Sequence, residues 1–138
     1  MINFYAENDF SLEQKKEVSD WLKATIDSEG YVVGEITFVF CSDQFLLEIN
    51  KEFLQHDTFT DIISFDYSLG KEVHGEIYIS TERVAENSEE FGTSFNDELH
   101  RVLVHGVLHL CGYKDKKKKD REVMRKKENE SLLARKFG

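Results

Sequence analysis

The sequence has no proline, only two cysteines, and no apolar run near the roughly 20 residues that a membrane-spanning helix requires. With no proline, repeat, low-complexity linker or break in composition, there is nowhere to draw a domain boundary, and the chain reads as one domain over residues 1–138. Cys41 lies in an apolar stretch and Cys111 near the end of a helical pattern. Two such thiols make no disulfide framework; they read as buried residues of a protein kept under reducing conditions. The opening Met-Ile-Asn-Phe-Tyr-Ala-Glu has neither a basic region nor an apolar one of the secretory kind, so the expected location is the cytoplasm. What is present is core material. Hydrophobic residues make up 40% and aromatics 12%, with eleven Phe, which excludes a disordered chain.

Charge is unevenly spread. The formal net charge is −9, which by itself speaks against a polyphosphate partner. Yet residues 1–96 carry a net −14 and residues 97–138 a net +5. The basic third suggests an anionic partner for one face, with solubility as the plainer alternative.

Strand and helix patterns alternate along the chain. Ile2 to Tyr5 is a short strand candidate, and Ser11 precedes a helical stripe of Val18, Trp21, Leu22, Thr25 and Ile26 that ends at Gly30. Residues 35–41 alternate at Ile36, Phe38 and Phe40, as a strand covered on one face does. Ser42 is placed to cap a helix over 43–52 with Phe45, Leu46 and Ile49 inward. Strand patterns at 61–66 and 75–80 have a link short enough for a hairpin. Ser80 is placed to cap a helix carrying Val84, Ala85 and Phe91 and stopped by Gly92; Ser94 begins another over 95–111. The last helix, 119–136, keeps Val123, Met124, Leu132 and Leu133 for packing. The expected fold is α/β (α+β), a central mixed sheet flanked by helices, with a metal site on a helix-turn.

The chemistry concentrates in the run from His105 to Asp115. His105 and His109 are four apart, so on a helix their rings rise from one face at neighbouring heights. Gly112 allows the left-handed turn that ends the helix and brings Asp115 back as a third ligand. Three protein ligands leave one position open, the catalytic rather than the structural arrangement for zinc. The histidine spacing equals that of metzincin proteases, but Gly106 occupies the place of their general-base Glu, which ranks a peptidase low. His100, five residues before His105, lies on another face, and His56 and His74 read as surface residues.

The run His105-Gly-Val-Leu-His109-Leu-Cys-Gly112-Tyr113 resembles the signature of the YbeY-type single-strand endoribonucleases. Further matching stretches are Asn50 to Phe53, Asp57, Thr60 to Phe65, Gly75 to Ser80, and Met124 with Glu128, so the resemblance spans nearly the whole chain. It implies a zinc-dependent nuclease acting on single-stranded rRNA in 16S rRNA 3′-end maturation and ribosome quality control, with the ribosome or its subunit as partner. The alternative is a ribosome-associated assembly factor that keeps zinc for stability and cleaves little. Lys114 stands where the family has Asp, and Asp115 where it has its third ligand histidine, so the zinc triad here reads His105, His109, Asp115. A carboxylate in that slot lowers the charge of the site and makes the ion a weaker Lewis acid. Leu54, followed by Gln55 and His56, stands where the family has an arginine suited to phosphate.

Lys114, Lys116, Lys117 and Lys118 adjoin the third ligand and are candidate phosphate contacts, with a solvated loop as the commoner role of such a run. Tyr113 or Phe59 could stack an unpaired base. Asp61, Ser64 and Glu76 sit at strand ends or edges where the resemblance suggests support for the site.

Overall fold

The computed structural model describes residues 1–55 and 60–137. His56, Asp57 and Phe59, named above, lie outside them. Four strands, β1 (Ile2–Ala6), β2 (Val32–Cys41), β3 (Ile62–Asp66) and β4 (Glu72–Ser80), form a sheet ordered β1-β2-β4-β3. The β1–β2 and β2–β4 pairs are parallel, and β3 pairs antiparallel with β4 through the short link foreseen between them. The sheet is therefore mixed, as expected. Ile36, Phe38 and Phe40 of β2 and Ile77 and Ile79 of β4 are buried on one face, the period of two made physical.

β2 and β4 both begin three residues earlier than their sequence patterns suggest. Val32 and Val33 pair with Glu72 and Val73 before the register shifts ahead of Ile36. Gly34 stands at that shift with the His74 ring where its Cβ would be. The ring's Nδ1 accepts the Glu35 N–H at 3.0 Å, and its Nε2 meets Glu72 Oε1 at 2.6 Å. His74 is thus half-buried and seals an irregularity, and the glycine that makes room for it interrupts the apolar pattern.

Five helices complete the described residues: α1 (Lys15–Ser28), α2 (Asp43–Leu54), α3 (Thr81–Phe91), α4 (Phe95–Leu110) and α5 (Lys118–Leu133). Ser42, Ser80 and Ser94 cap α2, α3 and α4 as read, their side-chain oxygens accepting the N–H of Phe45, Arg83 and Asp97. Ser11 does not cap α1. The preceding stretch anchors Phe10 against Phe40 and Phe95 and buries Leu12, so the helix starts only after Gln14, which takes a left-handed φ of 56° without a side-chain cap.

Helices α1 and α4 cover one face of the sheet, with α3 and α5 packed on α4, while α2 lays Leu46 against Ile63 on the other. α4 is central and buried on most sides, from Leu99 to Leu110. Gly106 is where it approaches the sheet: a Cβ there would lie 3.0 Å from a δ-carbon of both Ile62 and Ile77. α5 departs from its apolar pattern. Met124 and Glu128 face inward, whereas Val123 and Leu133 are exposed.

Candidate metal centre

Helix α4 ends in a glycine turn of defined geometry. Gly112, at φ 98°, donates to the His109 carbonyl and Tyr113 N–H donates to the Leu108 carbonyl, the paired bonds of a Schellman motif. The chain turns back, and Asp115 Oδ2 comes to 3.2 Å from His105 Nε2 and 3.1 Å from His109 Nε2. One ligand atom from each of the three residues lies within 4.8 Å of the others. The three side chains singled out from sequence therefore converge on one point.

The ring nitrogens facing away from that point are also engaged. His105 Nδ1 pairs with Glu128 Oε2 at 2.6 Å and His109 Nδ1 with the Tyr113 carbonyl at 2.9 Å. Acceptors at both Nδ1 atoms fix the tautomer that carries hydrogen there and leaves each Nε2 lone pair aimed at the shared point, the orientation that supports metal-binding histidines generally. This donor set fits a divalent ion. Glu128 is itself clamped: its other oxygen accepts from Arg101 at 3.0 Å, and its side chain is 6% exposed. Burial alone would raise the Glu128 pKa, but its bonds to His105 and Arg101 bring it below the usual carboxylate range. Burial likewise presses the His105 pKa down, and the Glu128 hydrogen bond with the charges of Glu128, Asp115 and Asp61 reverses it to a raised value. Burial raises the Asp61 pKa.

These groups lie in an open cleft of about 1120 Å³. Asp61 and Ser64 line it, as does Leu54, but Glu76 does not; it accepts the Tyr67 hydroxyl instead. Of the four lysines named from sequence, Lys116 lines the cleft, and Lys114, Lys117 and Lys118 are exposed outside its lining. Tyr113 is not free to stack a base there, because its hydroxyl donates to Glu29 and its ring packs on the core. Gly106 faces the sheet, so the position of the metzincin general base is one where no carboxylate could reach the cleft. His100 is buried between Trp21 and Phe137, away from the cluster. Cys41 and Cys111 are free and buried, and burial pushes both thiols up to about 12. Among the described residues no helix is long and apolar enough to cross a membrane. The sequence motifs led to His105, His109 and Asp115, and the family resemblance also named Glu128, but its pairing with Arg101 depends on two helices meeting and left no local signal.

Fold and site together define a mixed α/β protein with a two-histidine, one-carboxylate cluster at the floor of a wide cleft, a class able to hold a single divalent ion in reach of a large substrate. The chain belongs to the YbeY family: the family model described as "Endoribonuclease YbeY" matches residues 2–136. Curated relatives carrying that name include one from Christiangramia forsetii, 53% identical with 95% of this chain and 92% of the relative covered. Another, from Flavobacterium johnsoniae, is 54% identical over 96% and 95%. Among solved structures, the solution structure of TM1509 from Thermotoga maritima matches with a TM-score of 0.68 and 29% identity, over 96% of this chain and 87% of that one.

Proposed function

We propose that this chain is a zinc-dependent endoribonuclease of the cytoplasm, one metallo-hydrolase domain that cuts single-stranded rRNA in 16S rRNA 3′-end maturation and ribosome quality control. The observation that carries the reading is the convergence of His105, His109 and Asp115 on one point at the base of an open cleft, in a chain of this family. His105 and His109 would hold the ion through Nε2 and Asp115 through Oδ2. A zinc ion there supplies Lewis acidity for phosphodiester hydrolysis. Glu128 and the Tyr113 carbonyl orient the two rings, and Arg101 holds Glu128 in place. Lys116, and more distantly Lys114, Lys117 and Lys118, add positive charge near the third ligand for the RNA backbone.

The test joins elemental analysis of the purified protein to a cleavage assay on single-stranded rRNA. One zinc per chain and chelator-sensitive cleavage are expected, both lost in His109→Ala while the fold is kept. Equal cleavage by His109→Ala and the parent chain would remove the reading. Ribosome binding that survives zinc loss, without cleavage in either protein, would favour the assembly-factor role instead.

A further inference from the structure

We propose that Arg121 and Arg125 of α5, with Phe91 of α3, form the grip on the RNA strand, the guanidiniums taking two backbone phosphates and the ring stacking an unpaired base. The proposal rests on the endoribonuclease reading and assigns the strand's path past the metal cluster.

Buried Met124 and Glu128 mark the inward face of α5. Arg121 and Arg125 each lie three residues before one of them, so both rise along the same edge of that face. Both line the cleft that contains His105, His109 and Asp115. The other three arginines are tied to internal partners: Arg83 to Asp43, Arg101 to Glu128, and Arg135 to Asp97 and His100. Among the described residues Arg121 and Arg125 enter no ion pair; the only side-chain bond of Arg121 is to the Lys116 carbonyl. Glu98 and Glu128 line the same cleft near enough to feel the charge of Arg125, but neither arginine is in ion-pair contact with a carboxylate of the described residues, and a guanidinium fork matches phosphate oxygens.

Helices α3 and α5 both pack on α4, which brings the two ligand histidines to the floor between them. From α3, Phe91 lines the cleft and is 60% exposed. An exposed aromatic ring in the same cleft as two arginines outside any ion pair is a combination that suits single-stranded nucleic acid, because a base can stack only when it is out of a duplex.

The test is fluorescence anisotropy with a short labelled oligouridylate across a salt series, with cleavage followed in parallel. The double variant Arg121→Ala, Arg125→Ala should lose at least tenfold in affinity, and its slope of log affinity on log salt should shrink by about 1.4, about 0.7 for each phosphate contact on a single strand. Phe91→Leu should lose about tenfold with the slope unchanged, and Phe91→Trp should restore it. Lys126→Ala, an exposed position of α5 outside the cleft lining, should match the parent chain. Unchanged affinity and slope in the double variant would overturn the grip, as would an equal loss in Lys126→Ala or a parent chain that binds no oligouridylate. A parent chain that cuts RNA while the double variant binds normally keeps the nuclease reading and discards the grip. One that binds through these residues and cuts nothing keeps the grip and discards the nuclease.

Discussion

Two histidines five residues apart on α4 meet opposite fates. His100 is 4% exposed, packed between Trp21 and Phe137, and its Nδ1 accepts from Arg135 at 2.6 Å. Burial first, and the Arg135 charge second, lower its pKa to about 4, with Asp97 opposing only weakly. His105 is also pressed down by burial, yet the Glu128 hydrogen bond and the surrounding carboxylates leave it raised. Burial acts in the same direction on both rings. The sign of the neighbouring charge separates a histidine fixed as neutral packing from one held in an electronegative pocket where a cation is welcome.

The strongest way to break this contrast is to remove each histidine in turn. His105→Ala should lose its metal and its cleavage to background, whereas His100→Phe should keep both, as read by elemental analysis and single-stranded RNA cleavage. Metal loss in His100→Phe would show that the two faces of α4 are coupled.

Next in size is the clamp. Glu128→Gln keeps the shape but removes the charge that orients His105, so metal affinity should fall 10- to 100-fold by chelator competition, with the ligand set intact. An unchanged affinity would mean that the ring needs no partner.

The third prediction concerns acid stability. The unfolded chain takes up a proton on His100 near pH 6.5, while the folded chain resists until about 4. Between those values the unfolded state binds more protons, so stability is complete above pH 6.5 and falls as the pH drops through the window, by about 3 kcal/mol in full. Urea midpoints should show this loss in the parent chain and a flatter profile in His100→Phe. Matching profiles would place the acid sensitivity in the carboxylates. Smallest of all, Ser94→Ala removes the cap beneath both histidines and should cost about 1 kcal/mol in urea unfolding without favouring either face.

Local physics made much of this legible from sequence. Serine caps, the alternation of Ile36, Phe38 and Phe40, the hairpin of β3 and β4, and the two-histidine spacing on α4 all depend on neighbours within a turn or a strand. The misses share a different cause. Leu133 and Val123 look like core residues of α5 but are exposed, because that helix turns a carboxylate inward to meet Arg101 and His105 across an interface. His74 looks like a surface residue but fills the space that Gly34 leaves open on a neighbouring strand. In each case the partner is distant in sequence, and composition says nothing about where it will land.

The glycine turn after α4 has one more consequence. Two of the three candidate ligands stand on a buried helix, and the third stands on a loop whose course is set by a left-handed backbone that only glycine adopts without strain. An ion bound here would be held with unequal stiffness. Release of such an ion would be expected to begin with Asp115 swinging aside while the imidazoles stay put, so substitution of Gly112 would be expected to change how long the ion stays more than how tightly the two histidines hold it.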